Sequence, residues 1–197
     1  MKILLIGASG HVGVGASRAL ETRHTVIPAG RSTSPGVDVT DAASIAALFE
    51  AVGQIDAVVV AVGSVPFKPL AELGADDYRQ AFAGKVLSQI DVVRIGTPYV
   101  SNGGSFTLTT GILAREPIAT GAAASMANGA LESFVLAAAT ELPRGIRINA
   151  VSPTVLEEAT GYHDAFPGFI PVSAATVGQA FAKSVEGVQT GRVFRLD

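Results

Sequence analysis

The stretch that most constrains this chain is residues 5–15, LIGASGHVGVG, an apolar run that empties into glycines at 7, 10, 13 and 15. Lys2, ILLIGA and the following GAS have the outline of a secretory leader. However, four glycines in nine residues break the apolar helix a leader needs, and His11 and Arg18 interrupt it further. The better reading is strand, glycine turn, helix. In that arrangement a helix N-terminus with free backbone N–H groups can face a pyrophosphate. A glycine turn with no ligand satisfies the same local pattern, so the rest of the chain has to decide.

The rest of the chain alternates. Apolar runs at 2–6 (KILLI), 25–29 (TVIPA), 37–39 (VDV), 56–62 (DAVVVAV), 105–110 (SFTLTT), 146–152 (IRINAVS) and 192–196 (RVFRL) read as buried strands. Between them lie helical patterns. His11 to Thr22 offers Val14 and Leu20. Residues 42–52 follow a Thr40/Asp41 cap with Ile45, Leu48, Phe49 and Val52 on one face. Residues 75–96 carry Phe82, Val86, Ile90 and Val93, and residues 120–142 are Ala-rich with Leu131, Val135, Ala138 and Leu142. Residues 173–187 run through Val177, Phe181 and Val185. Unbroken apolar strands alternating with helices predict an α/β fold: a Rossmann-type, doubly wound parallel sheet of about seven strands with helices on both faces. The length of 197 residues predicts one domain spanning 1–197.

Charge and composition narrow the partners. A net charge of −3 with scattered basic residues argues against nucleic acid and anionic membrane surfaces. The longest apolar run, AVVVAVG, is too short to span a bilayer. The absence of cysteine removes disulfides, thiolate metal sites and cysteine nucleophiles, and fits a cytoplasmic setting. His11 and His24 belong to no cluster with metal-ligand spacing, so no metal is expected.

GASGHVG, then DVTD at 38–41, then ELPRGIRINAVSP at 141–153, closely resemble the short-chain dehydrogenase/reductase family, with the motifs in order and at matching separations. The resemblance runs from Met1 to about Val155 and resumes in the final helix and strand. It implies a Rossmann fold, a nicotinamide cofactor and hydride transfer at a carbonyl or alcohol carbon of a small-molecule substrate. It places Gly7 and Gly13 at the outer positions of the family's glycine motif, where the spacing here is Gly7-x-x-Gly10-x-x-Gly13. Ser9, His11 and Val12 lie in that same loop and helix start. Asp38 and Val39 resemble the pair beside the adenine. Ala61, Val62 and Gly63 stand where the family's Asn-Ala-Gly ends a strand. Pro153 and Val155 resemble the segment that meets the nicotinamide amide, with Thr154 in place of the usual glycine. At the end of the second strand, AGRS carries no acid. Gly30 leaves room, and Arg31 and Ser32 can receive a 2′-phosphate, so NADP is expected over NAD. The bland reading leaves Arg31 in a solvated loop.

The resemblance fails at the chemistry. The family's Tyr falls at Ala124, its Lys at Asn128, its Ser at Gly111 and its Asn at Lys85. None of the three tyrosines has a lysine four residues on. Three residues are candidates for a replacement route. Lys85 can donate a proton or polarise a carbonyl, the Thr110 hydroxyl stands beside the lost Ser, and Asn128 can hold the ribose. Tyr162 and His163 are the next candidates. Each has a plain alternative: Lys85 paired with Asp91, Asn128 a satisfied buried amide, and Tyr162 and His163 a solvated loop. Two functional readings remain open. One is an NADP-dependent oxidoreductase with a modified proton route. The other is a non-catalytic NADP-binding sensor or partner subunit. A homodimer or homotetramer through helices 75–96 and 120–142 is expected.

Overall fold

The computed structural model describes all residues from 1 to 197. Six strands form one all-parallel sheet: β1 (Lys2–Ile6), β2 (Thr25–Ala29), β3 (Ile55–Val60), β4 (Val100–Thr109), β5 (Arg147–Pro153) and β6 (Arg192–Leu196). Their order across the sheet is β2-β1-β3-β4-β5-β6. The helices are α1 (His11–Leu20), α2 (Ala42–Val52), α3 (Ala75–Ala81), α4 (Ser88–Gly96), α5 (Ala122–Glu141) and α6 (Ala174–Glu186). The chain order reverses beside β1, between β2 and β3. That switch point leaves a crevice at the carboxyl ends of the strands.

Period-two alternation divides each strand between two apolar layers. Leu4 and Ile6 of β1, with Val58 and Val60 of β3, face Ile45, Phe49, Val92 and Leu131 from α2, α4 and α5. Ile3, Leu5, Ala57 and Val59 face Ala16, Leu20, Val177 and Phe181 from α1 and α6. Both sheet faces are covered, which is why the strands read as continuous apolar runs rather than alternating ones.

Two sequence expectations need correction. The sheet has six strands rather than about seven, because VDV at 37–39 does not form one. Val37 only donates its N–H to the Gly30 carbonyl, beside a lone Gly30–Gly36 bridge. The Asp38 carboxylate then accepts from the Thr40 N–H and hydroxyl at 2.9 and 2.7 Å, which turns the chain into α2. Such a local side-chain bond competes with ladder pairing. The helix expected over 75–96 is also interrupted. Residues Phe82–Leu87 form a π-turn between α3 and α4. There the Gly84 carbonyl accepts from the Ser64 N–H at 3.2 Å.

α5 is long and apolar enough, by length and composition, to cross a membrane, which the strand-based reading overlooked. Here it packs on the sheet through Ala127, Leu131 and Val135 and carries Asn128 and Glu132 among its inward residues.

α1 and α6 meet backbone to backbone. A Cβ on Gly15 would fall inside the Ala174 carbonyl oxygen, and one on Gly178 inside the Gly15 carbonyl oxygen. We expect Gly178→Ala to cost about 1–3 kcal/mol in urea unfolding. Gly129→Ala in α5, where nothing lies within 4 Å of the new methyl, should instead stabilise by up to about 1 kcal/mol. Equal midpoints for the two variants would contradict this packing.

Candidate active site

The glycine loop closes against the strand ends. Gly7 has φ of +89°, and a Cβ there would lie 2.5 Å from the Ala61 carbonyl oxygen. A Cβ on Gly13 would overlap the Gly7 carbonyl oxygen. These two positions therefore require glycine for conformation and for close approach. α1 starts at His11 with no side chain capping it, so its first N–H groups remain available to an anion.

In front of this loop lies a cleft of about 490 Å³. It is lined by Gly7, Ser9, Gly10, Arg31, Asp38 and Val39, and by Ala61, Val62 and Gly63 at the end of β3. The Asp38 carboxyl is held below its usual range by the two bonds from Thr40. Nine of the expected cofactor residues thus converge. Gly13 packs beneath the loop instead of lining the cleft. His11 and Ser32 are exposed at its margin and are not part of its lining.

Ala61, Val62 and Gly63 also form one rim of a second cavity of about 300 Å³. Val12, Pro153, Thr154 and Val155 line this cavity, together with Lys85, Thr110, Gly111 and Asn128. The three candidate catalytic residues, from the π-turn, the end of β4 and α5, are therefore brought to one wall. An apolar lobe completes the cavity, with Phe67, Ile112, Leu113, Tyr162 and Phe166. Phe67 and Tyr162 face each other at 6.1 Å across its mouth. His163 is not in the lining. Its Nε2 sits 2.9 Å from the Leu156 carbonyl oxygen and ties the covering segment to the end of β5.

Lys85 has no hydrogen bond and no ion pair. Asp91, its suggested partner, binds Arg94 at 3.0 Å. The lysine stem lies over Gly63, where a Cβ would come within 2.8 Å of Lys85 Cγ. Burial pushes the Lys85 ammonium down from the ordinary value near 10.5 to about 8, because an apolar wall disfavours the charged form. Asn128 is buried with its Oδ1 unpartnered, and so is the Thr154 hydroxyl. Asn128 is therefore not the satisfied amide of the bland reading. Such orphans in a cavity wall fit a ligand that brings its own hydrogen-bonding groups. With the glycine cradle, they fit a dinucleotide running from the cleft into the cavity. Gly111 and Asn128 are matched, since a Cβ at 111 would stand 3.3 Å from Asn128 Nδ2.

Two polar devices escaped the sequence reading. Gln89 is fully buried; its Oε1 accepts from the Thr109 N–H at 2.9 Å, and its Nε2 donates to the Thr109 and Val62 carbonyls. This fixes the ends of β3 and β4 under the rim. Glu132 Oε1 accepts from Thr110 Oγ1 at 3.2 Å, Arg115 Nη1 at 3.2 Å and Ser152 Oγ at 3.0 Å. Arg115 Nη2 continues to Asp197. The Thr110 proton is thus committed to Glu132, which leaves the hydroxyl's lone pairs for the cavity. An acid in the middle of the Ala-rich helix was the signal available for Glu132. Gln89 gave none.

A family model described as Enoyl-(Acyl carrier protein) reductase matches residues 14–189. The chain belongs to the short-chain dehydrogenase/reductase family. The protein lin1944 from Listeria innocua is 48% identical, with each chain covered over 100% and a TM-score of 0.98. A small-chain dehydrogenase solved with NADPH shares the fold, at a TM-score of 0.88 and 24% identity over 100% of this chain and 96% of its own. Hydroxynaphthalene reductase of Aspergillus fumigatus is 28% identical over 75% of this chain and 57% of its own. An uncharacterized oxidoreductase of Methylorubrum extorquens is 30% identical over 63% and 52% respectively. The chain spans a little over half the length of these two curated relatives.

The depressed Lys85 ammonium has a thermodynamic signature. Between about pH 8 and 10.5 the unfolded chain keeps a proton that the folded chain has lost, so folding stability rises with pH through that window. Lys85→Met removes this dependence. We expect the Met variant to be more stable than the parent at pH 7, on the order of 1 kcal/mol after solvent screening of a half-buried side chain. The gap should narrow towards pH 10.5. A pH-independent difference in urea unfolding would count against a desolvated Lys85.

Proposed function

We propose that this protein is an NADP-dependent oxidoreductase acting on a small carbonyl or alcohol substrate. The observation that carries the reading is the shared rim: the strand end Ala61–Gly63 belongs both to the dinucleotide cleft and to a cavity whose one charged side chain is Lys85. When bound there, the nicotinamide supplies or accepts the hydride. The chain's own residues do the rest. The α1 N-terminus and the glycine loop hold the pyrophosphate. Asp38 and Val39 flank the adenine, and Asn128 accepts from a ribose hydroxyl. Thr154 and Val155 meet the carboxamide. Lys85 carries a proton at Nζ and gives it to the substrate oxygen as negative charge develops there. A group with a pKa near the working range suits that exchange. The apolar lobe around Phe67, Ile112 and Phe166 excludes water and holds the substrate's carbon body.

Arg31 at the cleft supports the choice of NADP, and the same fold holds NADPH in a small-chain dehydrogenase. The buried Ala124, placed where the family keeps its tyrosine, supports a second reading of NADP binding without turnover. The exposed Phe82, Leu87, Met126 and Leu136 on the π-turn and α5 support self-association through these elements.

Two measurements test the main reading. NADP should bind roughly 10- to 100-fold tighter than NAD, the value of one charge-assisted contact. Arg31→Asp should reverse the order, and equal affinities in the parent protein would overturn the assignment. Separately, Lys85→Met should keep NADP affinity and lose about 10²-fold or more of NADPH oxidation against a panel of small carbonyls. Tight NADP binding with no oxidation by the parent would favour the sensor reading.

A further inference from the structure

We propose that Lys85 is also a nucleophilic amine that captures small, neutral, apolar aldehydes and ketones as a reversible imine within the cavity. The other three of the chain's four lysines are engaged. Lys2 Nζ donates to the Val52 carbonyl at 2.6 Å, Lys68 pairs with Asp77 at 2.6 Å, and Lys183 lies over the Phe194 ring at 5.4 Å. Lys85 has no such partner. Among the residues lining its cavity there is no Asp, Glu, Arg or His, and the other titratable group is Tyr162 at the mouth. Nothing in the wall therefore compensates an ammonium, and nothing occupies the lone pair of the amine. The Lys85 stem lies over Gly63, at the rim the cavity shares with the cleft.

The capture balances without any redox partner. The Lys85 nitrogen lone pair forms a bond to the carbonyl carbon, and the carbonyl π pair passes to oxygen. That oxygen takes a proton as the nitrogen loses one, giving a carbinolamine. The hydroxyl then takes a proton from solvent, the C–O bond breaks and water leaves, the nitrogen lone pair closes the C=N bond, and the nitrogen returns its remaining proton to solvent to give the imine. Asn128 and Thr154 line the same cavity, and their Oδ1 and Oγ1 are buried with no hydrogen-bond partner. A desolvated lysine in an apolar pocket is the form in which this chemistry runs near neutral pH. With the ammonium held near 8, roughly one part in ten is free amine at pH 7, against under about one part in a thousand for an ordinary lysine. The walls select the ligand. An aromatic or branched aliphatic body fits a cavity of about 300 Å³. A carboxylate or phosphate would be desolvated against the apolar lobe, where no cation other than Lys85 lines the cavity and the capturing form of Lys85 is the neutral amine.

This inference shares Lys85 with the reading above but not the cofactor, so the two fail separately. The test uses the unmodified protein without nucleotide, incubated at pH 7 with benzaldehyde and cyanoborohydride and then mapped by peptide mass. The expected result is one benzyl group on Lys85, accumulating about tenfold or more faster than on Lys2, Lys68 or Lys183. Cyclohexanone in excess should slow labelling at Lys85 and leave the other lysines unchanged. Labelling spread evenly over the four lysines, or absent from Lys85, overturns the proposal. Faster labelling of Lys85 by glyoxylate than by benzaldehyde overturns its neutral, apolar class. Capture by Lys85 combined with NADPH oxidation that survives Lys85→Met would uphold this inference and sink the proton-donor role. Loss of oxidation without capture would do the reverse.

Discussion

The contact between the Gly7 carbonyl and the backbone of α1 at Gly13 governs the rest of the structure. It exists only because Gly13 carries no side chain, while the bare Gly7 gives the same room on its other side to the Ala61 carbonyl at the end of β3. It brings the helix start over the end of β1 and leaves N–H groups facing the crevice. Farther along the same helix, Gly15 repeats the device against Ala174 and Gly178 of α6. One helix is thus fixed at its start to the sheet edge and along its length to the neighbouring helix. A methyl at any of these points would force apart layers whose packing leaves no slack.

The second organising fact is an electrostatic asymmetry between two neighbouring spaces. The cleft is polar. Asp38 is held ionised by Thr40, Arg31 stands at the margin, and the loop amides face inward. The adjoining cavity is apolar, with a single uncompensated cation. Burying an unpaired ammonium costs stability, and the fold provides no acid to offset that cost. Nearby polar groups are handled differently: Gln89 is engaged through both amide atoms, and Glu132 Oε1 accepts from three side chains. In the same region, then, one set of polar groups is satisfied and rigid, while Lys85, Asn128 and Thr154 are left with unmet bonding capacity. Such a division is what a ligand site requires.

On the positions the sequence match assigns to the family's catalytic residues, the departures fall together. Where the family keeps its tyrosine, Ala124 packs with Ile112 and Leu113. Where it keeps serine, Gly111 makes room for Asn128. Where it keeps asparagine, Lys85 rises from a π-turn, a distortion often found at functional positions. The π-turn shifts the helix register at Lys85 and lets the Gly84 carbonyl meet Ser64. Lys85 thus reaches the cavity from the α3–α4 side, and Ala124 and Asn128 reach it from α5.

Local chemistry made most of this legible from the sequence. The glycine turn, the unbroken apolar strands and the Asp41 cap of α2 are set by backbone conformation and short-range periodicity, so the doubly wound sheet and most residues lining the cleft in front of the glycine loop followed directly. Counting VDV as a strand failed because Asp38 and Thr40 spend their hydrogen bonds on a turn, a competition that apolar periodicity does not register. The state of the candidate catalytic residues needed the tertiary structure. Whether Lys85 meets Asp91, whether Asn128 finds a partner and whether the Thr110 proton is free all depend on which elements pack together across the sheet ends. Identity, turn and period act within a few residues and are written in the sequence. Burial and pairing act between residues far apart in the chain, and only the packed structure decided that Lys85 stands alone.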